Sequence, residues 1–345
     1  MSGSQKFLWP QENGELMRKR TKKVHPKWRE IQFALEAYAA FRGLGNFRKL
    51  EVETMRLMNG ENTEVLADKY KFLQLCASLG YRIPKQILVR AGENEEAGRK
   101  EFEKTFTEDG FGFYIKPEGG FVGKGIKIVK TRQDVVDLLP KIAEDTVIEE
   151  NINIDKEFRY ILYVDPDGNR WHLVFQKVRP EVTGDGKSSI FELIIKKSEI
   201  PWKRKWRLFG RNWKILGKVL SKGEIKRLAN IGIPEAGMYG RLPNASEMAA
   251  LDLFGSKLIA DLEKSIGHGL PILCFDLGVL KSLNEELTLA QIKKIVTPFE
   301  CQMPFSPYAH FKFIPHGFGP MIEFYRMLLS DMNEVINRRL EKENI

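Results

Sequence analysis

The sequence is poor in cysteine and lacks the long apolar runs of membrane proteins. Its 345 residues include only three cysteines, Cys76, Cys274 and Cys301. They lie far apart and two fall in apolar, strand-like runs, so we expect buried thiols rather than a disulfide framework or a zinc site. No apolar run approaches about 18 residues, and no secretory signal pattern opens the chain. We therefore predict a cytoplasmic protein.

The segment TGDGKSSIFELI (residues 183–194) lacks one residue that a phosphate-binding P-loop requires. Gly186, Lys187 and Ser188 match the end of the pattern G-x-x-x-x-G-K-[ST], but the glycine that opens the pattern would fall at Glu181. A carboxylate there would place negative charge in a cradle that binds phosphate. The segment is therefore not expected to be the P-loop of a nucleotide hydrolase.

Positive charge is concentrated in one segment. The formal net charge of the chain is +9. Residues 196–227 contain twelve Lys or Arg against two Glu, so the remainder is nearly neutral. Apolar residues recur there every three or four positions, which predicts one helix with an apolar stripe. The stripe consists of Trp202, Trp206, Phe209, Trp213, Leu216 and Leu220.

Three interpretations of this basic helix stay open. It could pack on its own core, cover an active site and attract an acidic substrate, or lie on an anionic membrane or acidic partner. Nucleic-acid binding is not favoured, because base-stacking aromatics would be exposed whereas the stripe is expected to be a packing seam. Assembly as a homo-oligomer also stays open.

Helical and strand-like segments are mixed along the chain, with hairpins rather than strict alternation. The residues PDGN (166–169), between two strand-like runs, are typical of a hairpin turn. We predict an α+β protein of two lobes with largely antiparallel sheets. The predicted parts are an N-terminal extension (1–65), a glycine-loop lobe (66–152), a second lobe (153–320) with a basic helical insertion (196–227), and a C-terminal helix (321–345).

Two patterns indicate chemistry. In IKPEGGFVGKGIKIV (115–129), Lys116 ends a strand and a glycine-rich turn follows, a combination that suits phosphate binding. Asp276 ends an apolar strand, while Glu300 and Gln302 alternate on another and therefore share a sheet face. Their oxygens are suitable ligands for magnesium. Taken alone, each pattern also fits a plain hairpin or a solvated sheet face.

Six segments in order resemble the ATP-grasp superfamily over roughly residues 66–311. They are FYIKPEGGFVGKGI, TVIEENI, TGDGKSSIFELI, GRLPNASEMAALD, CFDLGV and FECQMPFSPYAH. Within that superfamily, they look most like the ligase parts of cyanophycin synthetase and bifunctional glutathione synthetase. The resemblance implies an ATP-grasp fold with ATP between two lobes. It also implies a Mg²⁺-dependent ligase that joins a carboxylate, of an amino acid or small acidic compound, to an amine through an acyl phosphate, releasing ADP and phosphate.

The resemblance also implies roles for individual residues. The nucleotide-binding set is Lys116, Gly119, Gly120, Gly123, Gly125, Glu149, Glu150, Asn151, Ile152, Glu157 and Lys177. The magnesium ligands are Asp276, Glu300 and Gln302, and the groups near the transferred phosphoryl are Arg241, Lys187, Ser188 and Arg179. The loop from Gly184 to Ser189 would close over the reacting carboxylate.

The sequence departs from the family pattern at three places, one of which is PNAS (243–246), where the pair of glycines that follows the family's ANLS segment is missing. Gln302 stands where the family has asparagine, and Asp155 where it has glycine. Two alternatives stay open, and Gln302, Asp155 and the basic helix motivate the first of them. One is a membrane- or partner-binding protein with a degenerate ATP-grasp core, and the other is a kinase that uses the same fold.

Overall fold

The computed structural model describes most of the chain between residues 58 and 302. The described residues are 6–7, 56, 58–92, 95–118, 125–165, 168–178, 180–198, 200, 202–228, 239–284, 286–302 and 334. They form two compact units. The first holds the described residues up to Val174 and from Pro243 onward, and the second holds those between Phe175 and Leu242.

The larger sheet is mostly antiparallel. Its strands, in spatial order, are β1 (Lys6–Phe7), β7 (Arg170–Val178), β6 (Lys156–Val164), β11 (Ile272–Val279) and β12 (Val296–Gln302). The short β1 pairs in parallel with β7, whereas β11 is antiparallel to both of its neighbours. The predicted turn joins β6 to β7, and Asp165 N donates to Asn169 O across it at 2.9 Å. Every residue of β11 is buried, which makes it the central strand of this core.

Four helices belong with this sheet: α1 (Glu64–Ala67), α2 (Lys69–Ser78), α7 (Ala245–Ile266) and α8 (Leu289–Ile295). Phe72 of α2 stacks on Phe275 of β11 with ring centroids 5.9 Å apart. The segment TEVLADKYKFLQLCASLG (63–80) has a helical period, but it forms two helices rather than one. The segment breaks at Asp68, which is extended and caps α2 by accepting a hydrogen bond from Lys71 N at 2.9 Å.

A four-stranded antiparallel sheet forms the other part of the first unit. Its order is β2 (Gln86–Val89), β5 (Thr146–Glu150), β3 (Phe113–Pro117) and β4 (Lys127–Val129). With it lie α3 (Glu95–Thr105), α4 (Arg132–Val136) and a 3-10 turn (Leu139–Lys141). One sheet face, with Ile87, Phe113 and Ile148, is buried with Phe102 of α3. In the segment DVVDLLPKIAED (134–145) the α-helix ends at Val136, and Pro140 is the second residue of the tighter 3-10 turn that follows.

The second unit has its own small core. It contains β8 (Glu181–Thr183) paired with β9 (Ile225–Arg227), α5 (Ile190–Lys196), α6 (Trp202–Asn212), a 3-10 turn (Trp213–Ile215) and β10 (Tyr239–Arg241), which pairs with the end of β7. Its core consists of Val182, Ile190, Leu193, Ile194, Ile200, Leu208, Phe209, Leu220 and Leu228.

The predicted tryptophan packing seam was wrong. The basic helix ends at Asn212, so the stripe does not continue as one helix to Leu220. Trp202, Trp206 and Trp213 are 57%, 68% and 67% exposed, whereas Leu208 and Phe209 enter the core. The expected packing is correct for Phe209, Leu216 and Leu220 of the stripe and wrong for its three tryptophans.

The α+β class with largely antiparallel sheets is confirmed. The three cysteines are buried and free, as predicted. None of the described helices combines the length and apolar character needed to cross a lipid bilayer. The predicted C-terminal helix and most of the N-terminal extension lie outside the described residues.

Gly255 is required by close packing within α7, and this gives a stability prediction. A Cβ at this position would lie 2.5 Å from the ring of Tyr160. We expect Gly255→Ala to lower the free energy of unfolding by about 1–3 kcal/mol despite the better helix propensity of alanine. In the matched control Gly98→Ala, also helical, the new Cβ would meet Val89 at an ordinary 3.6 Å. That variant should gain roughly 0.5–1 kcal/mol. Urea unfolding monitored by circular dichroism measures both, and equal values would contradict the packing argument.

His268 links the end of α7 to the segment before α1 and should make stability depend on pH. Nδ1 lies 2.9 Å from Gly269 O and Nε2 lies 2.8 Å from Glu61 O. Because only the protonated ring donates from both nitrogens, these carbonyls, Gly269 first and then Glu61, raise the pKa of His268 above its ordinary 6.5. The stabilisation is complete below that ordinary pKa and is lost as pH rises through the raised one. We expect the Tm difference between the wild type and His268→Gln to shrink on raising the pH, and a pH-independent difference would contradict this.

Candidate active site

A row of charged residues crosses three adjacent strands of the larger sheet. Asp276 of β11 lies directly opposite Arg159 of β6 on one side and Glu300 of β12 on the other. Directly opposite residues of antiparallel strands project from the same sheet face. Gln302 lies opposite Cys274, so it holds the same-face position two residues from Glu300. The three predicted magnesium ligands therefore share one region of one sheet face.

Arg159 and Asp276 form a buried, two-pronged ion pair. The guanidinium donates from Nε to Oδ1 at 2.7 Å and from a terminal nitrogen to Oδ2 at 2.8 Å. The two side chains are 13% and 5% exposed. Burial by itself lowers the pKa of Arg159, but the charges of Asp276 and Glu300 outweigh it and leave that pKa above its ordinary value. Arg159 thus stays charged and holds Asp276 in a fixed orientation.

Glu300 is the more accessible of the two carboxylates. It is 28% exposed, and its Oε2 lies 3.6 Å from Lys69 Nζ at the start of α2. Magnesium in nucleotide sites is commonly held by one or two carboxylates together with phosphate oxygens and water. Glu300 and Asp276 fit that pattern, with Arg159 already bound to both oxygens of Asp276. Among the residues the structure describes, no group of three His, Cys, Asp or Glu side chains could enclose a metal ion.

Lys116 and Glu149 meet on the polar face of the four-stranded sheet. Lys116 Nζ donates to Glu149 Oε1 at 2.6 Å and lies 5.2 Å from the centroid of the Tyr114 ring. Glu149 is opposite Tyr114 on one neighbouring strand and Gln86 on the other. These residues lie on the face opposite the apolar core of that sheet. The predicted phosphate lysine and the first residue of the predicted hinge are therefore in direct contact.

Gln86 carries a buried acceptor that no described residue satisfies. Its side chain is 8% exposed, and Nε2 donates to Tyr70 O at 3.3 Å. Among the residues that the structure describes, none donates a hydrogen bond to Oε1. A buried, unsatisfied amide oxygen is costly unless a ligand or water donates to it. It shares the sheet face of Glu149, so it lies on the side where a ligand of Lys116 would bind.

The rest of the predicted hinge is held by its own hydrogen bonds. Glu150 Oε1 accepts from Lys85 N at 2.8 Å. Asn151 donates from N to Gly112 O at 2.8 Å and from Nδ2 to Phe111 O at 2.9 Å. Ile152 follows, half-buried. The end of β5 and the residue after it are thus anchored to the loop before β2 and to the turn before β3.

The glycine loop is described only at its end. Gly125 has φ +78°, and a Cβ there would lie 2.8 Å from the Pro117 ring, so this position requires glycine. Gly119, Gly120 and Gly123 lie outside the described residues. Glu157, the predicted ribose ligand, is half-buried on β6, two residues from Arg159 and on the same face.

The second unit holds the residues predicted to lie near the transferred phosphoryl group. Lys177 is buried on β7 opposite Gly240, and Arg241 is exposed on β10 opposite Gln176. Lys187 is exposed in the loop after β8. Arg179 lies outside the described residues.

Asp185 organises the loop from Gly184 to Ser189. Its Oδ1 accepts from Lys187 N at 2.9 Å and Ser188 N at 2.6 Å, and its Oδ2 accepts from Ser188 Oγ at 2.6 Å. The Ser188 hydroxyl, first among these donors, lowers the pKa of Asp185. The same hydroxyl accepts from Lys196 Nζ at 2.6 Å. Ser188 therefore has its side chain committed within the loop, while Lys187 projects outward.

Sequence reasoning missed four residues of these sites: Arg159, Gln86, Lys69 and Asp185. Arg159 had a signal, because a charge inside the apolar strand FRYILYV requires a buried partner. Asp185 also had one, since an aspartate followed by small polar residues commonly accepts from the backbone two and three residues on. Gln86 and Lys69 had none, because their roles depend on which elements the fold brings together.

Comparison with known proteins shows similarity to solved structures alone. No protein-family model matches the chain, and no curated protein matches its sequence. A D-cycloserine synthetase is similar at 14% identity and a TM-score of 0.45, with 92% of each chain covered. D-alanine–D-alanine ligase from Bacillus anthracis is similar at 13% identity and a TM-score of 0.46, covering 84% of this chain and 72% of that one.

Two other similar structures are considerably longer than the matched region. The bifunctional glutathione synthetase from Pasteurella multocida shares 15% identity at a TM-score of 0.41, and the chain spans 37% of its length. For an N5-carboxyaminoimidazole ribonucleotide synthetase the identity is 11%, the TM-score 0.42 and the span 52%. These matches cover 80% and 74% of this chain. Likeness at these identities and TM-scores does not decide what this chain does.

Proposed function

We propose that this chain is an ATP-grasp ligase that joins a carboxylate to an amine and converts ATP to ADP and phosphate. The observation that carries the proposal is the direct opposition of Asp276 and Glu300 on β11 and β12. The two carboxylates come from two separate sequence motifs, and a buried arginine orients one of them. A paired-carboxylate face of this kind suits a magnesium nucleotide.

Glu300 and Asp276 would hold the magnesium ion. When bound, the ion neutralises charge on the phosphates as the phosphoryl group moves. Arg159 keeps Asp276 fixed, so Glu300 is the carboxylate with freedom to adjust to a ligand. We propose Gln302 as a further ligand, because its place in β12, opposite Cys274, is on the sheet face that carries Asp276 and Glu300.

Lys116 is proposed to bind nucleotide phosphates together with the glycine loop. Its ammonium is held beside Glu149, so nucleotide binding would let it share its charge between that carboxylate and a phosphate. Gln86 Oε1 offers an unsatisfied acceptor on the same sheet face. The exocyclic amine of a purine is a donor that would satisfy it, which supports a nucleotide rather than a second acidic ligand there.

In the second unit, the exposed cations Lys187 and Arg241 are proposed to receive the reacting carboxylate and phosphoryl group, with Lys177 and Arg179 in support. Ser188 holds the loop in shape through Asp185 and Lys196. A carboxylate oxygen attacks the terminal phosphorus and ADP leaves. The amine then attacks the acyl carbon, phosphate leaves, and the amine proton passes to solvent. Such chemistry needs positioning and charge neutralisation rather than a nucleophilic side chain.

The decisive experiment supplies ATP, magnesium and a pooled set of amino acids and small carboxylates. The proposal expects ADP and phosphate to appear together with a new amide mass. A stable phosphorylated product without free phosphate would instead establish the kinase alternative. Failure to bind any nucleotide would refute both the ligase and the kinase hypotheses and would favour a protein with a degenerate ATP-grasp core.

Lys116→Met is expected to weaken ATP-dependent turnover by about 10²–10³-fold, because a charge-stabilising donor is lost from the phosphates. Lys104→Met, an exposed lysine at the end of α3, is the matched control and should leave turnover unchanged. Initial rates at saturating substrate, with nucleotide affinity from calorimetry, measure the effect. Equal loss in both variants, or none in Lys116→Met, would contradict the assignment.

A further inference from the structure

The second unit carries most of the exposed large hydrophobic side chains of the described chain. Eleven such side chains occur among the described residues, and seven of them fall between residues 191 and 225. The seven are Phe191, Ile195, Trp202, Trp206, Trp213, Val219 and Ile225. A single exposed apolar residue needs no explanation, but a group of this size marks an interaction surface.

Four of these side chains form neighbouring stripes on two helices. Phe191 and Ile195 are four residues apart on α5, as are Trp202 and Trp206 on α6, so each pair shares a helix face. Trp213, which is 67% exposed, follows directly after α6 and opens the 3-10 turn Trp213–Ile215. We call Phe191, Ile195, Trp202, Trp206 and Trp213 the tryptophan patch.

Contacts connect the two stripes of the tryptophan patch. Phe209 of α6 lies 4.7 Å from the Phe191 ring and 5.7 Å from the Trp206 ring, measured between centroids. At the other end, Lys205 Nζ donates to Ile195 O at 2.6 Å and lies 5.1 Å from the centroid of Trp202. These contacts join Phe191 and Ile195 of α5 to Trp202 and Trp206 of α6, so the two stripes lie side by side.

The tryptophan patch lies within the basic segment. Residues 196–227 carry twelve Lys or Arg against two Glu. Arg211, Lys214 and Lys218 are exposed, and Lys214 Nζ stands 5.6 Å from the centroid of Trp213. Apolar aromatic rings beside a dense positive charge match the interface of an anionic membrane, where tryptophan sits at headgroup depth and basic side chains meet acidic lipids.

We propose that the tryptophan patch docks this protein on an anionic lipid bilayer. This interaction is separate from the proposed ligase reaction and requires no nucleotide. Single-stranded nucleic acid fits less well, because its bases stack on aromatic rings whereas Ile195, Val219 and Ile225 are aliphatic. An acyl boundary accommodates aromatic and aliphatic side chains alike.

The test is co-sedimentation of the full chain with phosphatidylcholine vesicles that contain or lack phosphatidylserine, without nucleotide. We expect binding only to the anionic vesicles, weakened by salt, with a blue shift of tryptophan fluorescence. The double variant Trp202→Ser with Trp206→Ser should reduce partitioning by about tenfold or more for each tryptophan. Phe111→Ser, which removes a 66% exposed aromatic outside the patch, should leave it unchanged.

A second variant tests whether the basic side chains contribute to membrane binding. Arg211→Gln with Lys214→Gln should weaken binding to anionic vesicles roughly fivefold for each charge removed. Circular dichroism verifies that each variant is folded, which is expected because the replaced side chains are exposed. Three outcomes would overturn the proposal: no binding to anionic vesicles, equal binding by the tryptophan variant, or binding to a single-stranded oligonucleotide or polyglutamate but not to vesicles.

Discussion

Arg159→Met should lower the free energy of unfolding by about 3–5 kcal/mol. Asp276 is 5% exposed, and both of its oxygens accept hydrogen bonds from Arg159. Methionine fills a similar volume but leaves that carboxylate buried without its partner. The loss therefore measures the cost of an unpaired buried charge rather than the net value of the pair. Urea unfolding at constant pH measures this loss in the free energy of unfolding. The dependence of that free energy on urea concentration should match that of the wild type.

Two further variants show whether that interpretation is right. The double variant Arg159→Met with Asp276→Leu removes both charges and should regain most of the lost stability. Arg99→Met breaks an exposed pair with Glu103 four residues along α3 and should change stability by at most about 0.5 kcal/mol. If Arg159→Met were as mild as Arg99→Met, water would have to reach Asp276 and the pair would not be buried in solution.

The Arg159 pair shows why part of the site could be predicted from the sequence and part could not. Glu300 and Gln302 could be placed on one sheet face from the sequence, because side chains alternate along a strand whatever the rest of the fold is. That Asp276 lies directly opposite Glu300 depends on the register between β11 and β12. This register cannot be predicted from the residue pattern of either strand alone. The resemblance supplied the grouping, and the register then revealed Arg159 as the third member of the row.

The basic helix shows the limit of periodicity more clearly. The spacing of the apolar residues predicted a stripe along one helix, but it did not determine which face of the helix packs against the core. In the structure, α6 buries Leu208, Phe209 and Lys205. Because α6 ends at Asn212, Trp213 lies outside the helix. The expectation against nucleic-acid binding depended on packed tryptophans, and the exposure of Trp202, Trp206 and Trp213 removes that basis.

Glu300→Gln should lower magnesium-dependent ATP turnover by about 10²–10³-fold, which is the usual scale for loss of one charge-stabilising group. Its effect on stability should be small, within about 1 kcal/mol, because Glu300 and Lys69 are 28% and 33% exposed and 3.6 Å apart. Initial rates across a magnesium titration measure the first effect and urea unfolding the second. We expect the magnesium concentration for half-maximal rate to rise, because glutamine keeps an oxygen ligand but loses the charge. Glu103→Gln, a half-exposed glutamate on α3, is the control and should alter neither quantity.

The contrast between Glu300→Gln and Arg159→Met separates a metal ligand from a structural ion pair in the same row. If Glu300 binds the metal, its variant loses turnover and keeps stability, while Arg159→Met loses stability at every magnesium concentration. A Glu300→Gln protein with normal turnover would show that the row serves only to hold β6, β11 and β12 together. Both variants remove a charge from the same sheet face. A nonspecific change in the electrostatic field would therefore affect turnover and stability similarly in both, and would not give loss of turnover in one and loss of stability in the other.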